Sequence, residues 1–427
     1  MVQLTPLRQP ARPRRPKAAA CIAAGLLALA AAASAQGVSP GELPKEGTKL
    51  PGGIEPVLQL RTYYFDQESL AGQPSTAWAL GGWAGLRSPW LGDVVQLGVV
   101  GYTSQRLYGP DGKGGTLLLQ SDQDAINVIG LAWAALRFAG QTFTAYRQLI
   151  DRPFINAQDN RMVPNTFEAY TLSGAPAEGV SYTGGYIAKI KNRDAEKFVS
   201  MSSDAGGTGS NEGVYFAGVD WNFMKDARLR ADLQYGVDTY NTFYIDGRFP
   251  VALGEQTRLT LGAQYFPQSS VGAQQIGDFS TWGAGLQAKL DHGPFGAHLS
   301  FTRTGSEYAT QNPWGDHPSY LNLQQVPFNS AGESAWGLGG SIDFAGFGAP
   351  GLSAAAVYAS GSDRVRNLSG VPIGNRNETD IRADYRFGKG TVLAGLVATL
   401  RYSWLQEDGA AQTQTQARVI VNYPFSF

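Results

Sequence analysis

Cysteine is almost missing: Cys21 is the single one in 427 residues, so beyond the first few dozen positions the chain has neither a disulfide nor a thiol nucleophile. Histidine is nearly as scarce. His292, His298 and His317 are the only three, and none stands at a metal-ligand spacing from another His or a Cys, so no metal site is expected. No G-x-S-x-G elbow and no phosphate loop ending in Gly-Lys-Ser/Thr occurs, which removes common hydrolase and nucleotide-binding signatures. The stretch Gly346-Phe347-Gly348-Ala349-Pro350-Gly351 matches G-x-G-x-x-G by letters only, with Pro where a helix would have to run, and reads as a turn. No cofactor and no enzymatic activity are expected. Long apolar runs are absent after residue 32, so no later segment crosses a membrane as a helix.

The beginning of the chain reads as an export signal. Arg8, Arg12, Arg14, Arg15 and Lys17 precede an alanine-rich apolar run with Leu26, Leu27 and Leu29, and Ala33-Ser34-Ala35 is a small-residue cleavage site. Cys21 lies at the front of the apolar run rather than after it, which argues against lipid attachment. The expected division is a cleaved signal at 1–35 and one domain at 36–427. Removing five leader bases from 34 leaves 29 against 35 acids, a net of −6, which argues against a nucleic-acid partner.

What remains is rich in strand and turn formers: 54 Gly, 20 Phe, 19 Tyr, 9 Trp and 23 Pro, with a mean hydropathy of −0.20. The last fifteen residues alternate to the end. Ala417, Val419, Val421, Tyr423, Phe425 and Phe427 share one face of an extended strand, while Gln416, Arg418, Ile420, Asn422 and Ser426 share the other. An aromatic face at a chain end suits a closing strand in an outer membrane. Period-2 segments recur along the chain, about eighteen in all, beginning with 54–65, 76–87 and 94–103 and ending with 377–388, 390–404 and 413–427. Short turns such as Ala139-Gly140 and His292-Gly293 alternate with long connectors such as 109–125, 150–165, 192–212 and 305–333. The expected fold is all-β: a transmembrane antiparallel up-and-down β-barrel of about eighteen strands, with its body at 54–427, short periplasmic turns and long external loops.

Alternation also assigns faces. Arg228 and Arg230 oppose Leu229, Ala231 and Leu233, while Asp380, Arg382, Asp384 and Arg386 oppose Ile381, Ala383, Tyr385 and Phe387. Lipid tolerates no such charge row, so these residues are expected to line the lumen. The same parity turns Arg61, Lys189, Lys191, Arg258, Arg401 and Arg418 inward. Closure sets the last strand beside the first, grouping Arg382, Arg386, Arg401, Arg418 and Arg61 into a basic track up one wall, with Arg386 lowest and Arg401 highest. Guanidinium groups in series suit the passage of a carboxylate. The alternative at this stage is that Glu378, Asp380 and Asp384 pair with the arginines and only hold the wall together. Two loops are candidates for constriction: 150–165, with Asp151, Arg152, Asp159 and Arg161, and 305–333, with Tyr308, Trp314, Tyr320 and Phe328.

Several stretches carry a family likeness: Arg61-Thr62-Tyr63-Tyr64-Phe65, Gly101-Tyr102-Thr103-Ser104, Gly115-Thr116-Leu117-Leu118-Leu119, Asp159 through Glu168, Ala331-Gly332-Glu333 and Asn422-Tyr423-Pro424. In these the chain resembles the OprD family of outer-membrane, substrate-selective porins. The resemblance implies eighteen strands, third and seventh external loops folded inward, and a lumen ladder of basic residues guiding carboxylate-bearing solutes. Arg401 and Arg418 fall where the family places ladder arginines. The position two before Arg401, often basic in the family, is Thr399 here, which thins the ladder.

The expected function is passive, selective uptake of small carboxylate-bearing solutes across a Gram-negative outer membrane. The expected surroundings are outer-membrane lipid and lipopolysaccharide, with Phe427 as the mark read by the barrel-assembly machinery. A general unselective porin and a receptor or adhesin with a plugged lumen stand as alternatives.

Overall fold

Residues that alternate between lipid and water build a wall only if every strand finds two neighbours, because no water is present to satisfy an open edge. The computed structural model, which describes residues 50–425, meets this demand by closure. Its long strands are β1 Glu55–Glu68, β2 Pro74–Arg87, β3 Val95–Tyr108, β4 Ile126–Phe138, β5 Gln141–Gln148 and β6 Thr166–Ala177. They continue as β7 Val180–Lys191, β8 Val214–Met224, β9 Ala227–Gly236, β10 Tyr240–Ala252, β11 Thr257–Ser270 and β12 Ser280–His292. The circuit ends with β13 Phe295–Thr304, β14 Ser334–Asp343, β15 Leu352–Ser362, β16 Arg376–Arg386, β17 Val397–Glu407 and β18 Gln414–Pro424. Each strand pairs antiparallel with the next, and β18 returns to β1 from Glu68↔Thr415 to Gln59↔Pro424. The fold is a closed antiparallel barrel of 18 strands. The export signal at 1–35 and the terminal Phe427 lie outside the described residues.

The outer face is apolar where lipid requires it: Leu60, Leu80, Leu97, Leu136, Leu286, Leu338 and Val419 are all well exposed. A row of directly paired tyrosines, Tyr170, Tyr186, Tyr215 and Tyr235, crosses four neighbouring strands on that face, as an interfacial girdle does. Among the described residues no helix is long and apolar enough to cross a membrane.

Two sequence expectations need correction. The seventeenth strand starts at Val397, not residue 390, because Gly390 (φ 100°) and Gly395 (φ 87°) bend the preceding stretch and Val392 is 97 % exposed there. The turn between β16 and β17 therefore runs over 387–396. Lys189 does not face the lumen. Glu168 pairs with Lys189 but Ala169 pairs with Ile187, so Ala188 is an extra residue in a bulge that resets the parity. Phe167, Ala169, Ile187 and Ile190 are all fully buried on the inner side, which leaves Glu168 and Lys189 pointing outward as an ion pair at 3.3 Å.

Much of the buried apolar surface lies inside the barrel. L2 (residues 109–125) and L3 (149–165) bring Leu118, Leu119, Met162 and Val163 down onto the inward side chains Tyr63, Phe65, Tyr102 and Leu131. Each such side chain contributes about 1.5–3 kcal/mol on leaving water, so the loops are packed parts of the fold rather than tethers in solvent.

Candidate functional site: a lumen crossed by two loops

L3 spans the lumen between two charged anchors. Near its start, Asp151–Arg152 pairs with Ile155–Asn156 in a two-residue ribbon, and Arg152 reaches across to the wall. Its guanidinium donates to Asp220 of β8 at 2.6 Å and to both oxygens of Asp232 of β9 at 2.6 and 2.8 Å. Gly218 makes the approach possible, since a Cβ there would stand 2.2 Å from an Arg152 nitrogen. At the other anchor Asp159 accepts two bonds from Arg61 of β1, at 2.6 and 3.0 Å. Arg61 also donates to the Asn422 side chain of β18 at 2.7 Å. Burial raises the Asp159 carboxyl above the ordinary range, and the Arg61 charge opposes that shift.

L7 (residues 305–333) enters from above and seats itself on both L3 and the wall. Trp314 is fully buried, stacks on Tyr240 of β10 at 5.0 Å and donates its Nε1–H to the Met201 carbonyl. Gly236 leaves room for it, a Cβ there standing 2.9 Å from the Trp314 ring. Tyr308 stacks on Phe279 at 4.9 Å, and the Tyr320 hydroxyl donates to Asp246 at 2.7 Å. The two loops meet where the Asp316 N–H donates to Asn156 Oδ1 at 2.8 Å and where Phe154 packs edge-on against His317 at 5.2 Å. Burial pushes the His317 imidazole down to about 3. Ser319 donates its N–H to His317 Nδ1 at 3.2 Å, so the proton sits on Nε2 and faces Thr310 Oγ1 at 2.8 Å.

The strand register organises the arginines. Arg382, Arg401 and Arg418 are direct partners across β16, β17 and β18. The same row continues from Arg418 to Phe65 on β1, and in the other direction through Ala355, Ser341, Gly296 and Asp291 to Arg258 on β11. Arg258 lies just past a periplasmic turn, whereas Phe65 lies near the external end of β1. A hydrogen-bonded row therefore climbs the wall, as the tilt and shear of a closed barrel require. Arg401 stands between Arg382 and Arg418 in this climb and is not the highest; the late start of β17 accounts for the difference.

Their bonding separates the arginines further. Arg382 forms a bidentate pair with Asp384 at 2.6 and 2.8 Å, and Thr399 donates its hydroxyl to the same carboxylate at 2.6 Å. Arg418 donates to Gln416 Oε1 at 2.7 Å and to the Gln324 carbonyl of L7 at 2.9 Å. Among the described residues, neither Arg401 nor Arg418 has a carboxylate within ion-pair distance. Arg386 is exposed toward the periplasmic end. Around the Tyr63 hydroxyl converge the charges of Arg418, Arg161, Arg401 and Arg61. Burial lowers the Arg161 guanidinium to about 10; Tyr63 resists the shift, and Arg193 and Arg401 add to it. It stays a cation at neutral pH.

The other expected lumen charges are spoken for. Arg228 and Arg248 share Asp246 at 2.8 and 3.4 Å, Arg230 binds Asp220 at 2.5 Å, and Arg258 meets Asp226 at 3.0 Å near the periplasmic rim. Lys191 is fully buried under L3, its Nζ donating to the Pro164 carbonyl at 2.8 Å. Asp151 is exposed, and Trp314 anchors its loop instead of lining the passage. Arg193, which no sequence pattern marks, donates to Asn160 of L3, while Tyr63 and Glu333, marked only by the family likeness, take structural places, Glu333 bound to Arg376 at 2.6 and 2.8 Å. Arg193 sits in a polar loop where no periodicity singles it out.

A membrane-spanning barrel whose lumen is crossed by packed loops and lined by cations is a porin of the constricted kind. The sequence pattern of the outer membrane porin, OprD family, matches residues 53–427, and the chain belongs to that family. It is 24 % identical over 414 residues to Porin D of Pseudomonas aeruginosa, covering 86 % of this chain and 90 % of that one. Among solved structures it is similar to Acinetobacter baumannii OccAB3, with a TM-score of 0.81 at 19 % identity over 88 % of this chain and 99 % of that one. Pseudomonas aeruginosa OpdK with vanillate superposes with a TM-score of 0.78 at 21 % identity, over 88 % and 99 %. The protein is thus an outer-membrane channel of a Gram-negative bacterium and not an enzyme.

Proposed function

We propose that this channel admits small carboxylate-bearing solutes, amino acids or organic and aromatic acids, by passive diffusion. Arg401 and Arg418 are the central stations, with Arg382 and Arg386 below them. Arg61 serves as the anchor of L3, since its guanidinium is committed to Asp159. The observation that carries the reading is the pair Arg401 and Arg418: adjacent in register, inward, and without a carboxylate partner among the described residues, while Arg61, Arg152, Arg376 and Arg382 each have one. Cations on the low-dielectric walls of an aqueous lumen concentrate anions at moderate-affinity sites, which conduction needs. That OpdK holds vanillate, a carboxylate, is in keeping with this.

The export signal is removed near Ala35, the outer wall meets lipid with lipopolysaccharide at its external rim, and Phe427 serves recognition by the assembly machinery. A mature N-terminus at Gln36, read by peptide sequencing, checks the first of these. The transport reading is tested by single-channel reversal potential under a salt gradient, with benzoate, arginine or glucose added. Anion selectivity and block by benzoate but not glucose are expected. A large conductance indifferent to all three would identify a general porin instead.

A further inference from the structure

Glu378 and Asp380 lie two residues apart on the inward face of β16, one register row away from Arg401 and Arg418, yet they pair with neither. Glu378 is fully buried and Asp380 is 9 % exposed. Across the strands Asp380 faces Ser403, two residues from Arg401, and Ser403 faces Gln416, two residues from Arg418. Diagonal neighbours on one face lie about 7–8 Å apart at the backbone, within easy reach of an arginine. Proximity alone would make ion pairs here.

The tip of L7 occupies the carboxylates instead. Three successive backbone N–H groups converge on them: Gln324 on Asp380 Oδ2 at 2.9 Å, Gln325 on Glu378 Oε1 at 2.7 Å and Val326 on Glu378 Oε2 at 3.1 Å. Consecutive N–H groups aimed at one point form a concavity suited to an anion. The same segment turns its carbonyl the other way, so that Gln324 O accepts from Arg418 at 2.9 Å, while Gln324 Nε2 donates to Ser403 at 2.9 Å. Gln414 donates to the Gln325 side chain at 2.7 Å. The second oxygen of Asp380 is buried and meets no donor apart from the adjoining Glu378 carboxyl, with which Asp380 shares a hydrogen bond, and neither acid comes within ion-pair distance of the arginines.

We infer that Glu378 and Asp380 are positioning residues whose capture by residues 324–326 keeps them from neutralising Arg401 and Arg418. The tip of L7 then does more than narrow the passage: it sets the sign of the charge the passage presents. Released from the wall, it would leave two carboxylates free to swing onto the arginine row. The inference rests on the reading of Arg401 and Arg418 as anion stations.

The test compares the intact protein with Gln325→Pro, which lacks the N–H that binds Glu378, and with Gln325→Pro carrying Glu378→Gln and Asp380→Asn. Each refolded barrel is checked by its gel mobility before and after heating, then its conductance and reversal potential are measured in a planar bilayer under a salt gradient. Gln325→Pro is expected to conduct more and to lose anion selectivity. The triple variant is expected to keep the larger conductance and regain the selectivity, a rescue that a purely structural loop would not produce. Selectivity retained in Gln325→Pro, or not regained in the triple variant, overturns the inference alone. An intact protein without anion selectivity overturns the transport reading and this inference with it.

Discussion

The wall of β8–β10 and the wall of β16–β18 carry the same residue types in the same inward alternation, and the loops treat them oppositely. On the first, L3 supplies a cation: Arg152 satisfies Asp220 and Asp232, and Arg228, Arg230 and Arg248 share what acid remains. On the second, the tip of L7 brings no cation to the acids, and the one charge L7 gives this wall, Glu333, goes to Arg376 at the external end of β16. The tip satisfies Glu378 and Asp380 with backbone N–H groups and leaves Arg401 and Arg418 without acids. Charge in a lumen is therefore structural where a side chain answers it and available where only the backbone does. The choice is made by the loops, not by the strands that display the charges.

Breaking the first wall is expected to have the largest effect. Arg152→Ala strands the buried Asp232 carboxylate, leaves Asp220 with Arg230 alone, and costs about 3–5 kcal/mol at the L3 anchor. Freed L3 is expected to become a protease site within 149–165 and the single-channel conductance to rise, both measurable on the refolded protein. Arg401→Ala with Arg418→Ala strikes the second wall, where no ion pair is lost, so the thermal unfolding of the barrel should shift little. The uptake rate of a carboxylate such as benzoate into proteoliposomes is expected to fall on the order of tenfold, the scale of electrostatic focusing. Unchanged uptake in that double variant would falsify the assignment of the stations.

Acid sharpens the comparison more gently. Burial holds His317 at about 3 against an ordinary 6.5, so the folded loop prefers the neutral ring. Its contribution is complete above about pH 6.5 and drains away as the pH falls toward 3. Protonation of Nδ1 also removes the acceptor of the Ser319 N–H. Larger or noisier conductance at pH 4 than at pH 7, abolished by L7 substitutions that remove the imidazole, is the expected record. Smallest of all is Lys189→Gln. The side chain is 48 % exposed on the outer face, and an exposed ion pair is worth about 0–1 kcal/mol, so conductance and selectivity should match the unmodified channel.

Legibility followed periodicity. Strands such as β2, read as 76–87 and found as Pro74–Arg87, announce themselves because a two-sided environment imposes a two-residue repeat. The same rule placed Arg382, Arg401 and Arg418 on one face. It failed at Lys189, where one extra residue in a bulge turns the side chain outward, and at residues 387–396, where glycines support a bend that letters alone do not distinguish from a strand. The alternative that acids on β16 pair with the arginines and only hold the wall together is met by Arg382 and Asp384, not by Glu378 or Asp380. Nothing in the spacing of Glu378 could reveal that its partners are backbone groups more than fifty positions earlier.

By itself the sequence determined a membrane barrel, its strands, its inward and outward faces and the loops long enough to fold in, because these follow from local alternation against lipid and water. Only the tertiary structure decided the height of each arginine, the partners of each acid and the cations left over. Those depend on shear and on where L3 and L7 come to rest, and contacts across a lumen leave no period in the chain that makes them.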